Sequence, residues 1–386
     1  MATVKKRAWR TASGEQKEAW RVRYVDQHSK TLTRQFALKR DADAFRVKAE
    51  GEVAAGVHTP DSTSVTVAEA ASIWITNSET NGLGRGTLKA YREMVDLHIA
   101  PLLGKEKLAR LTAPKVVQFV DAMKATRSMA MTRKAVRHLS MILNEAQRRG
   151  LVAQNVAAGV KVKRTDRDVE RVTIPPKEHL RAIIEAADRL GNEDPRLPIL
   201  VRVPTFTGLR QGELRALAWP SVELVGEKVE VGQSADRWND IGAPKSAAAR
   251  RSIPIGKSLI AALRKWKLQC PPSKQDLVFP NERGGVLDQK GIGLLFLKVQ
   301  IAAGLAIDSG KKDEDGNVIW KPRYGFHDLR HAAASAWINQ RVDLKRLQVW
   351  MGHATIQLTL DTYGHLIVDA EADAALADSA ERALLG

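Results

Sequence analysis

Four short stretches in the last third of the chain hold the side chains best suited to phosphodiester chemistry. They are Thr207-Gly-Leu-Arg210, His327-Asp-Leu-Arg330, Met351-Gly-His353 and a tyrosine at position 363. Together they supply two fixed cations (Arg210, Arg330), two imidazoles (His327, His353) and one phenol, Tyr363. Arginine presents a planar fork of donors matched to phosphate oxygens and does not lose its charge. A tyrosine hydroxyl can attack phosphorus and hold it covalently. Glu213 lies three residues after Arg210, so it shares a helix face with that arginine and can fix its rotamer. The same spacing places His327 and Arg330 over one patch of helix surface. His331 stands beside them and raises the alternative of a histidine metal site. A zinc or two-metal nuclease needs several converging carboxylates or imidazoles. Here the neighbours are cations, which repel a metal but hold a phosphate, so neither metal nor cofactor is expected. The set suits an enzyme that cuts nucleic acid through a phosphotyrosine.

Bulk composition points the same way. The 386 residues are enough for two or three domains. A net charge of +17 and a pI near 10.0 favour a polyanionic partner over a membrane surface or an inert basic surface. The single cysteine, Cys270, rules out a disulfide framework within the chain and disfavours a cysteine-based zinc site. There is no long apolar run and no apolar N-terminal stretch, so a soluble cytoplasmic protein is expected.

Residues 1–60 carry thirteen Lys or Arg against seven Asp or Glu, a local net of +6. Alternation through Ala19–Val25 and Thr31–Phe36 predicts a strand hairpin across Asp26–Lys30, with an earlier strand near Ala8–Thr11. Arg21, Arg23 and Arg34 on these strands are candidate DNA contacts. From Lys39 to Val53 the period becomes helical, with Ala42, Phe45, Ala49 and Val53 on one stripe. So small a core is marginal alone. A basic oligomerisation module is the alternative for this segment.

A polar linker at His58–Ser64 precedes predicted helices over 67–76, 87–99, 113–125 and 128–149. Thr112 is a candidate N-cap, with Pro114 in the first turn. Val116, Val117, Phe119, Val120 and Met123 supply the buried face of the third helix. The fourth buries Met131, Ala135, Leu139, Ile142, Leu143 and Ala146, and leaves Arg133, Lys134, Arg137, Arg148 and Arg149 on the remainder. Arg133, Lys134 and Arg137 are candidate DNA contacts, since phosphate contacts supply most non-specific affinity. A charged linker spans 159–171. Beyond it a catalytic domain is expected over 172–386, its first helix starting at Pro175 or Pro176. Strands at Lys228–Val231 and Arg251–Ile255 flank a turn-rich segment that puts Lys245 near a hairpin tip.

The string Thr-Gly-Leu-Arg-Gln-Gly-Glu-Leu, with the histidine, arginine and tyrosine motifs in this order, resembles the tyrosine recombinase family, specifically phage-type integrases. That resemblance implies a three-domain organisation: an arm-type DNA-binding domain at 1–60, a core-binding helical bundle at 65–160 and a catalytic domain at 172–386. The expected fold class is multidomain: a small β-sheet plus helix, an all-α bundle, and a mainly α catalytic domain with a small sheet (α+β). It makes Tyr363 the nucleophile, Arg210 and Arg330 the phosphate-binding arginines, His327 and His353 hydrogen-bond donors, with His327 also a candidate to help deprotonate the phenol, and Glu213 the support of Arg210. Lys245 becomes the general acid, with phosphate positioning as its alternative role. Among the other tyrosines, Tyr24 and Tyr91 fit structural places and Tyr324 is the rival nucleophile. The implied partners are double-stranded DNA at core-type and arm-type sites, a homo-tetramer on that DNA, and as further candidates a host bending protein and a directionality factor. A type IB topoisomerase would share the chemistry, and a catalytically idle DNA-binding regulator is the alternative from another class.

Overall fold

A computed structural model of the chain describes residues 2–12, 14–26, 29–54, 58, 60, 63–163, 172–244, 246–366 and 370–385. They belong to two compact units, Met1–Val169 and Glu170–Gly386.

The first unit opens with an antiparallel sheet in the order β1-β2-β3: β1 Thr3–Arg10, β2 Gln16–Val25 and β3 Thr31–Phe36. Alternate residues of a strand point to opposite faces, and β2 divides accordingly. Val22 and Tyr24 are buried against Ala42 and Ala49 of helix α1, Lys39–Ala54, with Phe45 and Val53 packed alongside. Arg21 and Arg23 fall on the other face. The register sets Lys5 opposite Arg21 and Thr33 opposite Arg23, so the open face is cationic. Arg34 pairs with Val22 and therefore lies on the helix-covered face. Its guanidinium rests 4.9 Å from the Phe45 ring centre and 5.4 Å from that of Phe36.

Five helical pieces follow: α2 Val67–Thr80, α3 Arg85–Met94, α4 Ala100–Leu103, α5 Ala113–Thr126 and α6 Met129–Arg148. Thr66 and Glu69 form a reciprocal capping box at α2. A π-helical turn, Val95–Ile99, joins α3 to α4. Ser128 caps α6 through its side chain, whereas Thr112 occupies the N-cap of α5 without a side-chain bond. The bundle core includes Val116, Phe119, Val120, Met123, Ala135, Leu139, Ile142, Leu143 and Ala146, with Met131 partly buried against it. Val117 departs from the expected buried face and is 46% exposed, because it sits one residue round the helix from Val116.

The second unit builds its core around α7 Lys177–Leu190 and α8 Leu197–Thr207, the latter buried along most of its length. After the short α9, Gln211–Arg215, come β4 Val222–Glu223, β5 Lys228–Val231, β6 Ser234–Ala235, β7 Ile241–Gly242 and β8 Arg251–Pro254. Strands pair antiparallel as β4-β5-β8, and β6 with β7 makes a minor ladder between β5 and β8. Then follow α10 Lys257–Lys267, α11 Gln289–Ala302 and a hairpin of β9 Ile307–Lys312 with β10 Val318–Lys321. The last helices are α12 Asp328–Asn339, α13 Leu344–Met351, α14 Ile356–Tyr363 and α15 Ala370–Leu385.

Candidate active site

Two left-handed glycines shape the site. Gly208 ends α8 at φ 61° and Gly352 ends α13 at φ 61°, a conformation that disfavours any side chain. A Cβ on Gly352 would also stand 2.8 Å from Nη1 of Arg251. Each glycine carbonyl accepts from an arginine of a different motif. Arg210 donates from Nη2 to the Gly352 carbonyl at 2.9 Å, and Arg330 donates to the carbonyls of Gly208 and Met351. Segments distant in sequence are thereby locked to one another through the two guanidiniums.

Glu213 holds Arg210 as its spacing predicts. Its Oε2 accepts the Arg210 backbone N–H at 2.9 Å and its Oε1 accepts Nη1 at 2.8 Å. Arg210 stays half-buried, while Arg330 is 2% exposed. Burial, then the neighbouring charge of Arg210, pushes the Arg330 guanidinium down to about 9. It remains a cation at neutral pH.

Tyr363 closes α14 and is 1% exposed, packed among Ala334, Leu347 and Met351. Burial pushes its phenol up to about 12, and the opposing pull comes from Arg330 and Arg210. The His353 ring lies parallel to the phenol, 9° between planes and 6.2 Å between centres. His353 is oriented by Thr359, whose Oγ1 is 2.9 Å from Nδ1. Burial, followed by Arg330 and Arg210, holds His353 down to about 4. His327 occupies the N-cap of α12 at the rim of the site, and partial desolvation, then Arg330 and Arg210, lowers its pKa. Both imidazoles are therefore neutral at pH 7 and can each donate one N–H to a phosphate oxygen.

The structure thus brings Arg210, Glu213, His327, Arg330, His353 and Tyr363 together. Lys245 lies outside the described residues. Tyr324, the rival phenol, is 5% exposed and bonded to His179 Nδ1 at 2.6 Å. Its backbone N–H and carbonyl are both held by the Gln300 side chain. Tyr324 belongs to the buried core of the second unit.

Three further side chains join this constellation. Arg251, buried at the start of β8, grips Glu213 with two nitrogens and the Trp350 carbonyl at 2.7 Å. In the sequence it stands in the doublet Arg250-Arg251 that follows the Lys245 segment, with nothing local to mark it as a partner of Glu213. Arg215, 1% exposed, ties α9 to the β6–β7 turn through the Asp236 carbonyl and the Asn239 side chain, and it also holds the Leu287 carbonyl at 2.6 Å. His331 reaches Tyr363, Nδ1 to Oη 2.8 Å. Among the described residues, no three His, Cys, Asp or Glu side chains converge as a metal site, and no helix is long and apolar enough to cross a membrane.

Residues 176–369 match the model of the phage integrase family, and residues 67–163 match that of the phage integrase central domain. The chain is 27% identical over 286 residues to the tyrosine recombinase XerC of Xanthomonas campestris pv. campestris (strain B100), covering 72% of this chain and 78% of the relative. To XerC of Xanthomonas axonopodis pv. citri (strain 306) it is 27% identical over 220 residues, 57% of this chain and 62% of that protein's length. The fold is similar to the Tn1549 transposon integrase in complex with a circular intermediate DNA (TM-score 0.67, 17% identity, 82% of this chain and 99% of that one). It is also similar to a lambda integrase tetramer bound to a Holliday junction (TM-score 0.59, 18% identity, 90% and 95%). The family match spans the whole arginine, histidine and tyrosine constellation: the chain belongs to the phage integrase family of tyrosine recombinases.

Proposed function

We propose that this chain is a site-specific integrase that cuts and rejoins duplex DNA to insert, and in reverse excise, a mobile element or phage genome. The observation that carries the proposal is the placement of Tyr363 within electrostatic reach of Arg330 and Arg210, with His353 stacked on its ring. The Tyr363 hydroxyl attacks the scissile phosphorus, forming a 3′-phosphotyrosine and releasing a 5′ hydroxyl. Arg210 and Arg330 neutralise the charge growing on the non-bridging oxygens, the dominant contribution in such reactions. His327 and His353 add hydrogen bonds, and Lys245 serves as the acid for the departing 5′ oxygen. The ester keeps the bond energy, so a 5′ hydroxyl from a second duplex can reverse the step and exchange strands.

The cationic sheet face around Arg21 and Arg23 binds arm-type DNA, and Arg133, Lys134 and Arg137 of α6 contact the core site. Four copies act together on the two duplexes. A nicked suicide DNA carrying the core site tests the reading, since cleavage then loses the short fragment bearing the freed 5′ hydroxyl and traps the protein covalently. A protein–DNA adduct that survives denaturing electrophoresis is expected. Sequence-specific binding without any adduct would instead identify a regulator that has kept the fold.

A further inference from the structure

We infer that His331 is the base that accepts the Tyr363 proton during attack, an inference that rests on the recombinase reading above. The nitrogen Nδ1 of His331 stands 2.8 Å from the Tyr363 Oη, and the two rings meet edge to face, 62° apart. A general base must lie within hydrogen-bond reach of the proton it removes, and His331 meets that condition before DNA arrives. The other imidazoles are placed differently. The His353 ring runs parallel to the phenol, so its in-plane lone pair passes alongside the hydroxyl, and its Nδ1 is already taken by Thr359. His327 lies one helical turn before His331, edge to face at 4.9 Å, on the solvent side of the pair.

The surroundings of His331 keep a lone pair ready. His327 and Arg330 flank it on α12, and Tyr363 faces it from α14. Burial, then His327 and Arg330, pushes its pKa down to about 4, so the ring is neutral at pH 7. With the Tyr363 hydroxyl donating to Nδ1, the ring proton sits on Nε2. A phosphodiester bound between Arg210 and Arg330 offsets the positive charge that weakens this base, so the imidazole gains basicity when substrate is present. The step balances. The Oη–H bond breaks and its proton passes to Nδ1 as Oη bonds to phosphorus, while the P–O5′ bond breaks and that oxygen takes a proton from Lys245. Strand joining runs the transfer backward, the His331 imidazolium returning its proton to the departing phenol oxygen.

The test uses full-length protein, saturating suicide DNA and single-turnover adduct formation across a range of pH. His331→Ala is expected to bind DNA as the wild type does and to form adduct about 10²- to 10⁴-fold more slowly. His331→Asn offers an oxygen near the position of Nδ1 but cannot hold a proton, and it should be slowed comparably at neutral pH. Both deficits should shrink roughly tenfold per pH unit as alkali begins to ionise the phenol directly. A ring-fluorinated tyrosine at position 363, more acidic than tyrosine, should also restore rate in either variant. Wild-type adduct formation by His331→Asn, or a deficit unchanged by pH and by fluorination, would overturn the proposal and leave His331 a packing contact. Absence of adduct from the wild type overturns the recombinase reading itself, a separate outcome.

Discussion

Arg251 holds Glu213 with both terminal nitrogens, Nη1 to Oε1 at 3.0 Å and Nη2 to Oε2 at 2.8 Å, and the two side chains are 0% and 3% exposed. The same carboxylate positions Arg210, so a buried ion pair lies directly behind the arginine proposed to bind phosphate. Removing one partner of such a pair leaves an uncompensated buried charge and costs about 3–5 kcal/mol. Arg251→Met should therefore lower unfolding free energy by about that amount in urea titrations and slow adduct formation. Burial raises the Glu213 pKa, yet the Arg251 hydrogen bond and charge, with help from Arg210, hold it below its ordinary 4.5. A depressed folded-state value means the pair stabilises fully above 4.5 and loses its contribution as pH falls below it. The acid limb of the stability curve should flatten in Glu213→Gln. A variant as stable as the parent would show that the pair does not organise the site.

Tyr363→Phe removes only the hydroxyl and its bond to His331, so folding and DNA affinity should be nearly unchanged while adduct formation disappears. Tyr324→Phe should keep the adduct and lose about 1 kcal/mol of stability with its His179 bond. Gel analysis with the suicide substrate separates the two, and an adduct persisting in Tyr363→Phe would move the nucleophile elsewhere.

The two faces of the N-terminal sheet predict two kinds of phenotype. Arg21→Ala with Arg23→Ala should weaken arm-site binding and reduce the slope of log affinity against log salt by roughly one per lost phosphate contact. Arg34→Ala should chiefly destabilise the module, because its guanidinium rests on Phe36 and Phe45. Deleting residues 1–60 should spare cleavage of a core-site substrate and impair integration between full sites. Normal full-site integration by the truncated chain would refute a second DNA site.

Helix α15 leaves Leu384 and Leu385 86% and 79% exposed at the end of a basic chain. Deleting residues 370–386 is expected to give a soluble monomer that assembles poorly on DNA, because the helix would otherwise dock on a neighbouring copy. Sizing of the protein–DNA complexes provides the check, and undiminished tetramer formation would place the helix on its own catalytic unit instead.

Much of this molecule is written locally. Hydrophobic periodicity alone marks α1, α5 and α6 within a residue or two of where they lie, and alternation marks β2 and β3. The side chains proposed to meet phosphate are readable as well, because phosphodiester chemistry restricts residue type and the motifs keep those types close together in sequence. Position 117 shows the limit of that method: a valine beside the stripe reads as core until the helix phase is fixed by its neighbours. Arg34 shows the same limit in a strand, since its basic type suggests DNA while the register with Val22 assigns it to the helix-covered face.

Residue types and their order supply the inventory: a basic multidomain chain with two arginines, two histidines and one tyrosine suited to strand transfer. How that inventory is wired emerges in the folded chain alone. Arg251 meets Glu213 across 38 residues, Arg210 meets the Gly352 carbonyl across 142, and His331 meets Tyr363 across 32. No periodicity or propensity carries such pairings, because they arise where helix ends and one sheet edge converge. There burial removes water as an alternative partner, and each buried donor must find an acceptor wherever the fold provides one.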